Sequence, residues 1–481
     1  MSLRRSPTAA LHRRSTATLL VALAFAALCA CSDDDLAAHD SGARDGAVRD
    51  AGPDEDAQNI DGSAADGGSL DALLARLRAS DATSAGLDGL LSEMALGDGW
   101  PLTDDARLVF STRWDDAPGD VALVSDLDAW SETARPATRL ASGVHYLVVI
   151  ERASLTAAIA GAKYKWWSAP AVFRAPPEAT AYDADALGEF GYVAPPSDRA
   201  WYERFPGFRS AHLDAARTLR ARLPAGFVAR TAAAASARTV LFHDGQNVFD
   251  PGALYGGFRA GEALAVPAYA DVVALAVDNA ADRFYAYTHV DDTVAGVGLV
   301  GGRADDYLAL LDDEALPFFR ARYGVSAMGD SLVVAGSSLG GLVSLYAAMT
   351  SDTRQGCVIA MSSTVGWGSI GASAADGRAL ANLWPARGHG TTGVYLDTGG
   401  GAGSGCVDSD ADGVDDDSPD GADNYCETAQ LRDVLDAIGY DFGTDLAHWH
   451  EPGATHNEAA WAARLPRGLA ACAAMGWAAA D

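Results

Sequence analysis

Positive charge is scarce in this sequence. Its 481 residues include 35 Lys and Arg against 65 Asp and Glu, a formal net charge of −30 at pH 7. Because binding to a phosphate backbone needs clustered Lys and Arg, this balance argues against nucleic acid as a partner. More than half of the excess lies in two short segments, residues 32–70 and 406–427. The rest of the chain is only mildly acidic, so the charge does not indicate a substrate.

Aromatic residues are absent from the first acidic segment. Residues 32–70 contain no Phe, Trp or Tyr. Such a stretch cannot bury enough apolar surface to offset the entropy lost on ordering. We therefore expect residues 31–85 to form a disordered acidic linker with a short helical-looking tail, which would tether the folded part.

Long apolar runs are also lacking, and Leu19–Leu28 is too short to span a bilayer. This run follows four arginines, so residues 1–30 are typical of a signal peptide. Its end, "LCAC", resembles a bacterial lipobox in which Cys31 is acylated, and several acyl chains would give stable membrane attachment. The alternative is an ordinary cleaved secretory signal. Both predict export, and the lipobox predicts a lipoprotein anchored at the outer membrane or cell surface.

Residues 86–196 consist of short alternating runs broken by Pro, Asp and Gly. This pattern predicts an antiparallel β-sandwich. The segments "DVALVSDLDAWSE", "YKWW" and "YDADALGEFGYV" loosely resemble an immunoglobulin-like, carbohydrate-module-like domain. Trp130, Trp166 and Trp167 could stack on a sugar, but such aromatics more often belong to a core, and we favour the core role.

Residues 197–481 follow a linker, "VAPPSDRA", and have a different pattern. Near-continuous apolar runs ("ARTVLFHDG", "VVALAVDN", "SLVVAGSS" and "GVYLDTGG") alternate with helical stretches. Runs of this type indicate an α/β fold with a mostly parallel, doubly wound sheet buried on both faces. Each run ends in polar residues, which predicts functional side chains at the carboxyl edge of the sheet.

The run at residues 336–340 reads Gly-Ser-Ser-Leu-Gly and matches G-x-S-x-G with Ser338 at its centre. In this motif a sharp strand-to-helix turn exposes a nucleophilic serine, and the glycines avoid collisions between the crossing segments. An apolar run precedes the motif and a helix-compatible run follows it. Because glycine is common in this chain, the alternative is a plain glycine-rich turn.

A serine nucleophile needs a histidine base oriented by an acid, in the chain order Ser, acid, His. Of the histidines after Ser338, His389 comes too early, and His448 and His450 alternate as on a strand. His456 lies in a loop just before a helix, which favours it as the base, with His450 as the next choice.

The segments "LFHDGQNVFD", "VDNAADRFYAYT", "GSSLGGL" and "GATHNEAAWAARL" resemble the Putative esterase family of α/β-hydrolases, from about residue 210 to 475. This family includes the enterochelin esterases and relatives of esterase D. The resemblance implies a serine carboxylic-ester hydrolase with Ser338 as nucleophile and His456 as base, working through an acyl-enzyme without an organic cofactor. It also implies an oxyanion hole formed by the loop at Asp244, Gly245 and Gln246 with the Leu339 amide.

The acid is harder to assign, because the position expected from the resemblance falls in "TGGGAGSG", which has no carboxylate. Asp397 at a strand end is our first choice and Asp423, where the chain enters a helix, is the second. A catalytically inactive cell-surface binding protein that uses the hydrolase fold as a scaffold is the alternative function. For an active enzyme, we expect a small-molecule or polysaccharide-linked ester as substrate.

The second acidic segment, within an insertion at residues 400–427, resembles calcium-binding loops. Its D-x-D-x-D-G pattern would supply converging carboxylates to a structural Ca²⁺ ion. The predicted ligands are Asp408, Asp410, Asp412 and Asp416. Glu is missing from the twelfth position, which excludes an EF-hand, and a solvated acidic loop is the alternative. In an exported protein we expect a disulfide between Cys406 and Cys426, whereas Cys357 and Cys472 are either paired or free.

Overall fold

The computed structural model describes residues 70–79, 84–250, 252–294, 296–370, 377–408, 411–418 and 420–480. The predicted signal peptide, the acylation site Cys31, most of the predicted linker and the predicted calcium ligand Asp410 lie outside these residues. Within the described part of the chain, none of the helices combines the length and apolar character needed to cross a membrane.

Strands occur along the whole described part of the chain that follows α2. The strands are β1 Leu102–Thr103, β2 Arg107–Arg113, β3 Val121–Ser125, β4 Thr138–Arg139, β5 His145–Glu151, β6 Lys163–Ser168, β7 Val172–Arg174, β8 Ala181–Asp185, β9 Gly188–Tyr192, β10 Trp201–Phe208, β11 Arg217–Leu223, β12 Thr239–Phe242, β13 Val273–Val277, β14 Asp291–Val294, β15 Gly298–Gly301, β16 Gly329–Ser337, β17 Gln355–Met361, β18 Gly393–Thr398, β19 Cys406–Val407, β20 Asp416–Asp417 and β21 Leu446–His450.

Most of the helices belong to the second half of the chain. They are α1 Leu70–Ala79, α2 Ser84–Leu96, α3 Ala232–Ala235, α4 Ala260–Ala263, α5 Arg283–Ala286, α6 Ala304–Ala309, α7 Leu316–Tyr323, α8 Leu339–Thr350, α9 Leu380–Arg387, α10 Tyr425–Ala437 and α11 Glu458–Ala474. A π-helical turn, Leu310–Ala315, joins α6 to α7, and 3-10 turns include Gly245–Asn247.

One long sheet organises the molecule, in the order β21-β18-β17-β16-β12-β13-β11-β10-β8-β9-β6-β3. The six strands from β21 to β13 run parallel to one another, and β11 returns antiparallel beside β13. Consecutive residues of β16 alternate between two apolar cores, with Val333 on one face and Val334 on the other. Helices α8 and α10 cover one face and α11 the other. This doubly wound arrangement is an α/β-hydrolase fold, as the sequence predicts.

The N-terminal module consists of two antiparallel layers around a shared core, as expected for a sandwich. Phe110 and Val148 from the small sheet β1-β2-β5-β4 pack against Leu123 and Trp166 from β3 and β6. Trp166 is fully buried, which confirms the core role for this side chain. The module is continuous with the hydrolase sheet, because β8 pairs with β10. Its immunoglobulin-like character remains a prediction.

The predicted linker extends too far into the folded part. Helix α1 lies within residues 31–85 and buries Leu70, Leu74 and Leu77 against α2 and the outer face of the small sheet. Leucines spaced by three and four residues place an apolar stripe on one side of a helix. This stripe explains why residues 70–79 form a helix within the predicted linker, where the sequence indicates a helical-looking tail.

Candidate active site

Ser338 occupies a sharp turn between β16 and α8. Its backbone has φ 56° and ψ −124°, a conformation that is strained for a residue other than glycine. Its N–H donates to the Met361 carbonyl at the end of β17, with an N···O distance of 2.9 Å. The side-chain Oγ is buried and forms no hydrogen bond with any described residue. The turn therefore places at the carboxyl edge of the sheet a hydroxyl group that donates to no acceptor among the described residues.

Two glycines permit this turn. A Cβ at Gly336 would lie 2.5 Å from the backbone carbon and oxygen of Gly340, where the chain crosses itself. A Cβ at Gly341 would collide with the side chain of Ser363. The close crossing at Gly336 is the physical reason for the first glycine of the G-x-S-x-G motif, whereas Gly341 lies one residue beyond the motif.

His456 lies in the loop before α11 and contacts a buried carboxylate. Its Nδ1 is 2.7 Å from Oδ1 of Asp423, and its ring packs edge-on against Trp461 with centroids 5.0 Å apart. Its Nε2 is buried and has no hydrogen-bond partner among the described residues. His456 thus has one ring nitrogen held by an acid and the other available to react.

The carboxylate that contacts His456 belongs to Asp423, our second choice, and not to Asp397. The Asp397 carboxylate accepts hydrogen bonds from Arg464 Nε at 3.0 Å and from the Tyr395 hydroxyl at 3.1 Å. Asp397 is fully buried, and burial raises its pKa to about 7, although Arg464 and Tyr395 oppose this shift. Its place on β18 directs it beneath α11, which makes it a partner of Arg464.

Asp423 reaches the site because the acidic insertion closes at its base. Ala422 and Gly401 exchange backbone hydrogen bonds, with N···O distances of 3.1 and 3.4 Å. The chain therefore leaves the end of β18, makes an excursion and returns to the same point. Asp423 therefore occupies the place in space that a residue just after β18 would occupy without the insertion. In the sequence, the inserted residues separate Asp423 from β18.

Asp423 has further polar contacts through its second oxygen. Oδ2 accepts a hydrogen bond from the Ser362 hydroxyl at 2.7 Å and another from the Gly399 N–H. Asp423 and Asn424 both have positive φ values, 70° and 56°. The acid is thus held by the ends of β17 and β18 in a strained backbone of its own.

The loop implied as an oxyanion hole follows β12. Gly245 and Gln246 open a 3-10 turn, and the first N–H groups of such a turn have no partner within it. Asp244 anchors the loop, because its carboxylate accepts from Asn279 Nδ2 at 2.5 Å and Arg283 Nε at 2.8 Å. Burial opposes ionisation of Asp244, but these partners lower its pKa below the usual value.

This loop is also connected to the helix that follows His456. Asn247 Nδ2 donates to Oε1 of Glu458 at 3.2 Å. Glu458 is buried, and burial raises the pKa of its carboxyl group. The contact fixes the 3-10 turn near the segment that carries the histidine.

The other histidines do not contact the acid. His450 Nε2 lies 3.1 Å from the Gly400 carbonyl oxygen, and His389 pairs with Asp445 at the surface at 2.7 Å. His448 is partly buried, and burial lowers its pKa to about 4. The geometry therefore favours His456 among the four candidates.

Sequence reasoning missed Ser362 and Arg464, which lie behind the acid. Ser362 directly follows β17, so the rule that polar residues mark the carboxyl ends of parallel strands could have identified it. Arg464 has no such signal, because it is one of two arginines, with Arg467, in an amphipathic helix.

The acidic insertion contains a small hairpin, in which Cys406 pairs with Asp417 across β19 and β20. Disulfides join Cys406 to Cys426 and Cys357 to Cys472. Among the predicted calcium ligands, the Asp408 carboxylate accepts hydrogen bonds from the N–H groups of Asp412 and Gly413. The described residues include no group of three or more His, Cys, Asp or Glu that could hold a metal ion. Because Asp410 is not among them, calcium binding remains a prediction.

Comparison with known proteins identifies the family. Three solved structures are similar to this chain: the IroE-like serine hydrolase from Shewanella oneidensis (18% identity, 56% of this chain and 78% of that one, TM-score 0.43), the enterobactin esterase FES from Shigella flexneri (16%, 79% and 97%, 0.41) and the siderophore hydrolase EstB from Aspergillus nidulans (18%, 56% and 94%, 0.40). No curated protein matches the sequence. The model of the family described as Putative esterase matches residues 210–472, more than half of the chain. The chain therefore belongs to this family and is an esterase with the α/β-hydrolase fold.

Proposed function

We propose that this esterase hydrolyses carboxylic esters through a catalytic triad of Ser338, His456 and Asp423. The contact of 2.7 Å between Nδ1 of His456 and Oδ1 of Asp423 carries the proposal, because it leaves Nε2 as the reactive nitrogen. Ser338 supplies the nucleophile from a strained turn whose shape matches the motif.

The reaction would proceed through an acyl-enzyme. Ser338 Oγ attacks the ester carbonyl carbon while Nε2 of His456 removes the hydroxyl proton. The C–O bond to the leaving alcohol then breaks, and His456 returns the proton to the alcohol oxygen. Water, activated by the same nitrogen, attacks the acyl group and releases the carboxylic acid and Ser338.

Negative charge develops on the carbonyl oxygen during each attack. The backbone N–H groups of Leu339, at the start of α8, and of Gly245 or Gln246, at the start of the 3-10 turn, are the proposed donors. Fixed donors at this position stabilise the developing oxyanion more strongly than water does. The anchoring of Asp244 by Arg283 and Asn279 would keep this loop in place.

Ser338 and His456 do not hydrogen bond to each other in this structure. In free enzymes the bond between nucleophile and base is often long and shortens when substrate binds. The contact between His456 and Asp423 and the strained turn at Ser338 are therefore the observations that support the triad. We propose a small-molecule or polysaccharide-linked ester as substrate.

A fluorophosphonate probe tests the nucleophile directly. We expect it to label wild-type protein at Ser338 and to leave Ser338→Ala unlabelled, with Ser337→Ala as the matched control. Turnover of p-nitrophenyl acetate should be lost almost equally in Ser338→Ala and His456→Ala, because a triad acts as one unit. His450→Ala should retain most activity. A folded wild-type protein that neither reacts nor turns over would favour the scaffold function instead.

We further propose that the protein is an exported lipoprotein anchored by acylated Cys31, on the basis of the arginine-rich, apolar N-terminus. Cys31→Ser should move the protein from the membrane fraction to the soluble fraction or block processing. Incorporation of a fatty-acid analogue that persists in Cys31→Ser would contradict the anchor.

We also propose a structural Ca²⁺ ion in the loop from Asp408 to Asp416, and an immunoglobulin-like N-terminal module.

A further inference from the structure

A buried guanidinium lies behind the proposed triad acid. Arg464 in α11 is about as buried as any apolar core residue, with 1% of its side chain exposed. Its Nε contacts Oδ1 of Asp397 at 3.0 Å, and its Nη2 lies 3.7 Å from Oδ2 of Asp423. A buried charge is costly unless it is paired and hydrogen bonded. The Nε and Nη2 groups of Arg464 meet that condition, whereas Nη1 has no hydrogen-bond partner among the described residues.

The hydroxyl of Ser362 joins this cation to the acid. Its Oγ accepts hydrogen bonds from Arg464 Nη2 at 2.6 Å and from Trp461 Nε1 at 3.0 Å. The same oxygen is 2.7 Å from Oδ2 of Asp423. Both donors approach from α11, so one helix fixes the hydroxyl from two sides.

The direction of these hydrogen bonds follows from the number of protons. A serine hydroxyl has one proton and two acceptor lone pairs. Arginine and the tryptophan indole only donate, so they occupy both lone pairs of Ser362. The single hydroxyl proton must then point to Asp423. The N–H of Gly399 also donates to Oδ2 of Asp423. Because Oδ2 accepts from both Ser362 and Gly399, it carries no proton.

The other carboxylate oxygen of Asp423, Oδ1, contacts the proposed base His456. A carboxylate can only accept, so Nδ1 of His456 donates to Oδ1 of Asp423 in the proposed arrangement. The neutral ring then has its lone pair on Nε2, the nitrogen that would take the serine proton. The alternative tautomer, with the proton on Nε2, would be unable to act as the base.

Resting on the proposed function, we propose that Arg464 is a positioning residue: through Ser362 it orients Asp423 and thereby sets the tautomer of His456. Asp397 has the complementary role of balancing the charge of Arg464. Neither residue needs to touch the substrate. Replacing either residue should therefore change the rate of turnover and not the affinity for the ester.

Ser362→Ala is the sharpest test, because it removes one oxygen and creates little strain. We expect kcat to fall about 10- to 100-fold, the usual effect of removing a group that orients an active-site ligand. KM should change less than about twofold, since Ser362 does not face the ester. In 15N-histidine NMR spectra, wild-type His456 should show a protonated Nδ1 and an unprotonated Nε2, and Ser362→Ala should show a mixture of the two tautomers.

Arg464→Gln removes the charge and should add an effect on the pH profile. The charged groups close to His456 or Asp423 include Asp397, Asp417, Glu458 and Arg464. Without the cation, the carboxylates stabilise the imidazolium form more strongly. The acid limb of kcat/KM against pH should therefore shift to higher pH. Arg464→Lys, which keeps the charge, should restore the position of that limb but not the full kcat.

Arg354→Gln is the matched control. Arg354 is also largely buried and pairs with Asp312 at 2.8 Å, but it lies just before β17, at the edge of the sheet opposite to Ser362. It should lower the melting temperature without changing the tautomer or the pH profile. If Ser362→Ala keeps the kcat and NMR signature of an active wild type, the positioning role is overturned. A wild type that the fluorophosphonate does not label would overturn the proposed function itself.

Discussion

The backbone N–H of Gly399 donates a hydrogen bond to the carboxylate of Asp423, although 24 residues separate the two in the chain. The intervening residues form an excursion that the disulfide between Cys406 and Cys426 closes. The proposed acid is therefore delivered by the far end of an insertion, and it still contacts the strand end from which the insertion departs. The proposed catalytic role of Asp423 therefore depends on how that insertion folds.

Asp423→Asn and Asp397→Asn should separate the two candidate acids. The first change would present an amide to Nδ1 of His456 and favour the wrong tautomer, so kcat should fall by about 10³ to 10⁴. The second change would weaken the pair with Arg464 and should cost less than about 100-fold. Steady-state hydrolysis of a p-nitrophenyl ester measures both. A larger loss in Asp397→Asn than in Asp423→Asn would contradict the assignment.

The sharp turn at Ser338 and the loop before the helix at His456 could be predicted because their signals are local. Glycines around Ser338 prevent a collision within a single turn, and His456 precedes a helix start that Asn457 caps. The acid could not be predicted in this way. Its position depends on hydrogen bonds between Gly401 and Ala422, which only the folded insertion brings together.

Whether other features could be predicted from the sequence depends on different physical reasons. Arg464 and Ser362 meet through the packing of α11 on β17, and no sequence spacing records such a contact. Helix α1, by contrast, could be predicted as the helical-looking tail of residues 31–85, because its leucines are spaced by three and four residues. The continuous sheet joining both halves follows from the pairing of β8 with β10, which the predicted linker between them obscured.

The two disulfides should differ in their effects on activity and stability. Cys357 and Cys472 close a loop of 115 residues in the core, whereas Cys406 and Cys426 close one of 20 residues beside Asp423. Loop entropy is worth about 4.7 kcal/mol for roughly 100 residues and about 3 kcal/mol for roughly 15. Replacing Cys357 and Cys472 by Ser should therefore lower the melting temperature more. Replacing Cys406 and Cys426 should lower kcat more, when both are assayed well below their melting temperatures. Equal kcat in the two double variants would show that the insertion does not position the acid.

His243 should make the protein less stable in acid. It is fully buried beside Tyr307, and burial lowers its pKa to about 4 from the usual 6.5. Between these pH values the unfolded chain binds a proton that the native state excludes, so the free energy of unfolding falls as pH drops. A difference of this size is worth roughly 3 kcal/mol over the window. Urea titrations of wild type and His243→Gln at about pH 7 and about pH 4.5, either side of most of this window, should show a smaller loss in the variant. Parallel losses in both proteins would show that another group is responsible.

Calcium removal should lower activity and stability together. The loop from Asp408 to Asp416 carries several carboxylates with no Lys or Arg nearby in sequence, and these would repel one another without a cation. This loop connects β19 to β20, and the last residue of β20 is Asp417, whose carboxylate accepts from the Cys426 N–H at 2.8 Å at the start of α10. A loop ordered by calcium would thus fix the start of α10, and Asp423 lies directly before the N-cap residue of that helix. We expect a chelator to reduce both kcat and the melting temperature, Asp410→Ala to reproduce the effect, and added Ca²⁺ to rescue wild type only. If the chelator changes neither quantity and metal analysis of the purified protein finds no calcium, the segment is a solvated acidic loop.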